Sequence, residues 1–234
     1  GTITDNDTNT IAMGPVTVNE AAGSMTFTVT QSGTSAVPIV LTYATADGPA
    51  KDGVGESGAG IPDYTASTGT VTFTPGTDGT QTFTVPITND LVVEGSENFT
   101  VALTPQIPSQ VSVTSTLVAT GTITDNDTAT WSISGDPVAI EGGAATYIVS
   151  LAGTLQAGET ATIDLGITDI ETDSTDYADF MAAVNTALVG RIDLSFDGTM
   201  LTYIGDGTPM TNLVIALDAI DDDAAEVSED YRVG

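Results

Sequence analysis

Eight residues, Gly1-Thr2-Ile3-Thr4-Asp5-Asn6-Asp7-Thr8, recur without change as Gly121 to Thr128. A period that long is a whole domain, strung in tandem rather than stacked as a solenoid of short units. Fainter landmarks follow in the same order. Val18-Asn19-Glu20 matches Ala139-Ile140-Glu141, Asp63-Tyr64 matches Asp176-Tyr177, and the run Asn89 to Phe99 matches Asp221 to Tyr231. The repeat places one domain at 9–127 and a second at 128–234, with 1–8 as the last strand of a preceding repeat. Each is long enough to bury its own core.

Between the landmarks the chain reads as strand. Met25, Phe27 and Val29 alternate with threonines, as do Ile39, Leu41 and Tyr43, then Val71 and Phe73, then Phe83, Val85 and Ile87, then Phe99, Val101 and Leu103. A period of two is that of half-buried antiparallel strands. Pro75-Gly76 and Asp78-Gly79 punctuate them as turns. Domain two repeats the pattern at Tyr147/Val149/Leu151, Ile163/Leu165/Ile167, Ile192/Leu194/Phe196 and Leu213/Ile215/Leu217. The expected fold is all-β, two tandem immunoglobulin-like antiparallel sandwiches. Domain two carries extra residues after Asp176, where Phe180, Val184 and Leu188 recur every four positions. That spacing predicts a helix near 177–190, with Ser174, Thr175 and Asp176 as capping residues and Gly190 as its stop. The expected role of the helix is packing on its own sandwich, with binding of a partner as the alternative.

Charge narrows the function. Asp and Glu number 32 against 3 Lys and Arg, a formal net charge of −29. Such a surface repels nucleic acid and anionic membranes and attracts cations. The chain contains neither cysteine nor histidine, which excludes thiolate zinc sites, disulfides, thiol nucleophiles and imidazole bases. No apolar run approaches the ~18 residues of a membrane-spanning helix. No serine has an evident base. The glycine-rich stretch 53–60 lacks the lysine of a phosphate loop and reads as an ordinary connection. The chain is expected not to be an enzyme.

Strand parity gathers the acidic residues. If the chain reverses at every strand, the first, third and fifth loops of domain one and the exit of its last strand share one pole. Glu20 lies in the first of these loops, Asp63 in the second, Asn89, Asp90 and Glu94 in the third, and Asp125 and Asp127 follow the last strand. Clustered carboxylates without nitrogen or sulfur ligands select a hard cation. Several ligands on adaptable loops suit Ca²⁺ better than Mg²⁺, which demands a strict octahedron. The carbonyl of Val92 is a further candidate ligand. A merely acidic tip is the alternative. Asp47, in an Asp-Gly turn, is expected to serve that turn rather than the metal.

The ordered set Val18-Asn19-Glu20, Thr45-Ala46-Asp47-Gly48, Asp63-Tyr64, Gly69 to Phe73, Asn89-Asp90 with Glu94-Gly95 and Glu97-Asn98-Phe99, and the closing Thr122 to Asp127 resembles the Calx-β domain. The resemblance covers nearly all of domain one. It implies Ca²⁺ held at Glu20, Asp63, Asp90, Glu94, Asp125 and Asp127, with Asn89 standing where an aspartate is common. Glu141, Asp176, Asp221, Asp222 and Glu226 carry the pattern into domain two, more weakly. Calx-β-like repeats occur in bacterial surface adhesins, in the regulatory loop of the Na⁺/Ca²⁺ exchanger and in integrin β4. The missing cysteines and near-identical linkers favour the first setting: an extracellular, Ca²⁺-stiffened spacer in a surface fibre. A ligand- or glycan-binding module is the alternative. Domain two is expected to lack its last strand. Residues 1–7 of another chain would then complete it head to tail, bringing Asp5 and Asp7 beside its own carboxylates.

Overall fold

A computed structural model describes Gly1 and residues 9–52, 62–106, 117–136, 138–170, 172, 175–221 and 230–234. The described chain divides into two compact units. The first is Gly1–Asp90 with Gly95–Asn126, and the second is Leu91–Glu94 with Asp127–Gly234.

Unit one opens with β1 (Thr10–Met13) and β2 (Val16–Asn19), followed by β3 (Ser24–Ser32), β4 (Ile39–Ala46), β5 (Thr68–Phe73) and β6 (Gly79–Pro86). The two-residue β7 (Val92–Val93) belongs to unit two. Unit one resumes with β8 (Glu97–Pro105) and closes on β9 (Val118–Thr124). Two sheets form, β1-β3-β6 and β2-β9-β8-β4-β5. The chain before Glu20 thus forms two strands in different sheets. Gly14-Pro15 lies at the crossing, where proline has no N–H to give to a ladder. Past it, β2 runs parallel to β9, with Val16 opposite Gly121 and Asn19 opposite Thr124. Every other pairing in this unit is antiparallel.

The alternation sends Met25, Phe27 and Val29 of β3 inward against Phe99 and Val101 of β8, all fully buried. Aromatic rings fill the space between the sheets. Tyr43 stacks on Phe83 at 3.9 Å between centroids, and Tyr64 stacks on Phe99 at 4.3 Å. Gly121 lets β9 close on this core. A Cβ there would lie 2.6 Å from Sδ of Met25 and 2.7 Å from Cζ of Phe99.

Unit two contains β10 (Thr130–Gly135), β11 (Ala144–Ala152), β12 (Thr154–Leu155), β13 (Thr160–Asp164) and β14 (Ile167–Asp169). The helix α1 (Phe180–Ala187) comes next, then β15 (Leu194–Phe196), β16 (Met200–Ile204), β17 (Leu213–Asp218) and β18 (Tyr231–Val233). Its sheets are β10-β11-β17, β13-β16-β15, β14-β18 and the parallel pair β12-β7. The fold is all-β with one short helix, as the sequence leads one to expect. The helix is shorter than 177–190, because Asp179 supplies the cap: its Oδ1 accepts from Met181 N at 2.9 Å and from Ala182 N at 3.4 Å. Tyr177 instead forms a β-bridge with Ala219. Phe180 and Val184 face the core, and Gly190 takes φ +86° at the stop.

Two strand expectations need correction. Ile163, Leu165 and Ile167 do not share one strand. The chain breaks at Leu165-Gly166, with β13 pairing with β16 and β14 with β18. Gly166 and Gly234 exchange two backbone hydrogen bonds that fix the second register, at 2.9 and 3.1 Å. Ile192 lies in no strand and is 98% exposed. Arg191 beside it grips Asp193 through two hydrogen bonds and donates to the carbonyl of Thr211, which turns the chain before β15 begins. The glycine-rich stretch 53–60 and Ser174 lie outside the described residues.

Gly121→Ala should destabilise unit one by about 1–3 kcal/mol through overpacking, because Tyr64 holds the Phe99 ring on its other face. Denaturant unfolding measures this, with the loss confined to the transition of unit one.

Candidate metal centre

Three chain segments bring carboxylates together. Glu20 opens a single 3-10 turn, Glu20–Ala22, and is 4% exposed. Asn19 caps that turn, its Oδ1 accepting from Ala21 N at 3.0 Å, and Gly23 closes it at φ +68°. The same turn is tied to the exit of β9. Asn19 donates to the Asp125 carbonyl at 3.3 Å, and Asn126 Oδ1 accepts from Ala21 N at 3.3 Å. The parallel pairing of β2 with β9 puts Glu20 beside Asp125–Asp127 in this way. Asp90 arrives from the loop after β6. One carboxylate oxygen from each of Glu20, Asp90 and Asp127 lies within 4.8 Å of the other two.

Asp63 belongs to the same neighbourhood. Its Oδ2 accepts from Lys51 N at 2.6 Å, its N–H is donated to the Lys51 carbonyl at 2.8 Å, and its carbonyl accepts from Thr88 N at 2.9 Å. Burial pushes the Asp63 carboxyl up to about 6, with the nearby charges of Glu97 and Asp90 adding to the rise and the Lys51 N–H opposing it. A side-chain hydrogen bond with Glu97 raises the Asp63 carboxyl further. Glu97 opens β8 and is not singled out by loop parity, which looks at connections and passes over strand ends. Its signal is the repeat, in which Ser96-Glu97 recurs as Ser228-Glu229.

The other candidates make further contacts. Asn89 is exposed and donates its amide to the Asp90 carbonyl. Val92 is in β7, paired in parallel with Thr154 of β12, and Glu94 Oε1 accepts from Gln156 Nε2 at 3.1 Å. Asp125 is half-buried and contributes its backbone carbonyl to the cap already described. Asp47 holds its loop: its Oδ1 accepts from Asp52 N at 3.2 Å and from the Tyr64 hydroxyl at 2.5 Å. Burial, and then the Asp47 carboxylate, push the Tyr64 hydroxyl above its ordinary range. In unit two Glu141 and Asp221 are exposed and Asp176 is half-buried. A Cβ on Gly142 would lie 3.3 Å from Cβ of Asp221, so the loops bearing Glu141 and Asp221 adjoin. Asp5, Asp7, Asp222 and Glu226 lie outside the described residues.

The donor set fits a hard cation. All side-chain donors are carboxylate oxygens. Oε1 of Glu20, Oε2 of Glu97 and Oδ2 of Asp127 are withdrawn from solvent, and shared negative charge there is costly without a counter-ion. Ligands on opposite sides of Ca²⁺ are about 4.6–5.2 Å apart, from its ligand distances, and oxygens that all lie within 4.8 Å of one another are close enough to share one such ion.

The raised Asp63 group sets a pH dependence. Its folded value lies above its unfolded one, so the folded state holds more protons between the two. Stability from this group is fully present below about pH 4 and is lost as pH rises through about 6. Melting curves of cation-free protein from pH 4 to 7 should show that fall, and millimolar Ca²⁺ should flatten it. Calorimetry at pH 6 in buffers of different ionisation enthalpy should detect protons released as Ca²⁺ binds.

No curated protein matches the chain. Among solved structures, the apo-form Calx CBD1 domain is similar at 27% identity, over 52% of this chain and 100% of that one, with a TM-score of 0.44. CBD12 from CALX1.2 is 20% identical over 96% and 79% of the two chains, with a TM-score of 0.43. The calcium binding domain CBD12 of CALX1.1 is 22% identical over 95% and 80%, with a TM-score of 0.42. The Calx-beta domain family model matches residues 3–127, more than half of the sequence, and the chain therefore belongs to the Calx-beta domain family.

Proposed function

We propose that this chain is a calcium-binding structural repeat of an extracellular surface protein, acting as a spacer that the cation stiffens. The observation that carries the reading is the convergence of Glu20, Asp90 and Asp127 oxygens within 4.8 Å, from three separate segments, with Asp63 and Glu97 alongside. Glu20, Asp63, Asp90, Glu97 and Asp127 would hold the ion. Ca²⁺ there offsets repulsion among desolvated carboxylates, which is a structural service and involves no substrate.

Unit two supports a second, weaker site at Glu141, Asp176 and Asp221, because the backbone bonds that hold the corresponding loops recur. Ile87 N donates to Gly23 O and Thr88 N to Asp63 O in unit one; Ala219 N donates to Gly143 O and Ile220 N to Asp176 O in unit two. The extracellular setting rests on composition. A chain with no cysteine and a net charge of −29 suits a medium rich in calcium, where metal does the work that disulfides do elsewhere. Strand β10 opens at Thr130, just beyond Asp127, so a cation on Asp127 also restrains the segment that joins the units. No described helix is long and apolar enough to cross a membrane.

Binding to the native state alone stabilises by RT ln(1+[L]/Kd), about 2.7 kcal/mol at a hundredfold excess over Kd. Millimolar Ca²⁺ should raise the melting temperature of unit one by roughly 10 °C or more, Mg²⁺ should raise it less, and Glu20→Gln should abolish most of the gain. A melting curve indifferent to chelation would overturn the metal reading. Small-angle scattering tests the spacer role: particle dimensions should narrow in distribution when Ca²⁺ is added, and identical profiles with and without it would count against stiffening.

A further inference from the structure

The two units differ in most of their residues, yet one side-chain contact is repeated. The Tyr64 hydroxyl donates to Asp47 Oδ1 at 2.5 Å, and the Tyr177 hydroxyl donates to Asp169 Oδ1 at 2.5 Å. Each tyrosine directly follows a carboxylate residue, Asp63 or Asp176, and each aspartate stands where a strand ends, just past β4 or at the close of β14. Each tyrosine also makes an isolated bridge to the strand exit that leads into the next acidic run, Tyr64 to Ile87 and Tyr177 to Ala219. The flanking bonds match as well, Thr65 N to Pro86 O and Ala178 N to Asp218 O. A contact kept while most of its surroundings change marks a constraint on geometry.

Burial by itself does not require the hydroxyl. Tyr64 is 1% exposed, and its ring stacks on Phe99 at an interplanar angle of 17°, which phenylalanine would also do. The hydroxyl adds a tie between the end of β4 and the residue after Asp63. Asp47 also accepts from Asp52 N, and the neighbouring Lys51 N donates to Asp63 Oδ2. One aspartate therefore ties Tyr64 to the segment that ends at Asp52, and that segment supplies the N–H that faces the Asp63 carboxylate. That carboxylate is pressed by the charges of Glu97 and Asp90, and an untethered loop would swing it toward water.

We propose that Tyr64 is a positioning residue, whose hydroxyl bond to Asp47 holds Asp63 in the metal centre against its acidic neighbours, and that Tyr177 with Asp169 does the same for Asp176. The proposal rests on the calcium reading for its consequence and on the hydrogen bonds alone for its mechanics, so the two can fail separately. Tyr64→Phe keeps the ring and removes one oxygen. In cation-free protein, amide exchange at Lys51 and Thr88 should speed up about tenfold, the scale of one lost charge-assisted hydrogen bond. Calorimetric Ca²⁺ affinity of unit one should fall by a similar factor. Asp47→Ala should reproduce both effects. Asp47→Asn, which keeps an acceptor and drops the charge, should fall between the parent and Asp47→Ala in exchange and affinity. Tyr177→Phe should leave the Lys51 and Thr88 amides unchanged. Unaltered exchange in Tyr64→Phe would overturn the latch. Faster exchange with unaltered Ca²⁺ affinity would overturn its positioning role. Failure of the parent protein to bind Ca²⁺ would overturn the proposed function, with the exchange arm still deciding the latch.

Discussion

Like charges brought together in a partly desolvated place repel, and the rest of unit one is arranged around resisting that repulsion. At an effective dielectric of about 20, two carboxylates 4 Å apart repel by roughly 4 kcal/mol, a large share of what a small domain has in reserve. Much of the restraint comes from neutral groups. Ile87 N on Gly23 O joins the first loop to the exit of β6, and Thr88 N on Asp63 O joins the second loop to the same place. Asn19 and Asn126 fasten the Glu20 turn to the end of β9. None of these bonds involves a charged side chain, so none weakens as the carboxylates ionise. Asp63 retains its proton to about pH 6 as the remaining accommodation, one that a divalent cation makes unnecessary.

The sandwich supplies the convergence through one departure from simple up-and-down order. Were β1 and β2 a single strand beside β3, Glu20 would leave from the sheet that holds β6. The crossing at Gly14-Pro15 instead delivers β2 to β9 in parallel. Parallel neighbours finish at the same end, so Asn19 meets Thr124 and the next residues of both, Glu20 and Asp125, leave side by side. Core packing and site assembly are then the same event. Gly121, which admits β9 to within reach of Phe99, also fixes where Asp127 emerges.

Much of this was legible because its physics is periodic. Alternation of Met25, Phe27 and Val29 with threonines, and the other runs like it, locates the strands of unit one to within about two residues, and parity of reversals sends Glu20, Asp63 and Asp90 to one pole without any contact being known. What escaped depends on partners distant in sequence. Nothing in Val16-Thr17-Val18 announces a parallel neighbour more than a hundred residues away. Val92 and Glu94 sit in the third loop and read as ligands, and the pairing of Val92 and Val93 with Thr154 and Leu155 is a further contact that the loop does not announce. Ile192 matches the alternation of β15 and stands outside it, because the Arg191–Asp193 ion pair, 2.7 Å long, turns the chain first. Glu97 was hidden for the opposite reason: it begins a strand, where a search for loop carboxylates does not look.

The helical insertion shows how much change this plan absorbs. Unit two carries extra chain between Asp176 and the run at Asp221, including all of α1, and yet Ile220 N still reaches Asp176 O at 2.8 Å and Ala219 N still reaches Gly143 O at 2.8 Å. The insertion is tolerated because both of its ends are held. Tyr177 is fixed by its bridge to Ala219 and its hydroxyl on Asp169, and Asp193 is fixed by Arg191 and by the bond from Ile204 N to its carbonyl. Between those clamps the added residues only need somewhere to bury an apolar face, and Phe180 and Val184 find it against the unit's own core. An insertion between Thr88 and Asp90 would instead lengthen the chain between the bond of Thr88 N to the Asp63 carbonyl and the Asp90 carboxylate, and so part the acidic groups that this loop brings together.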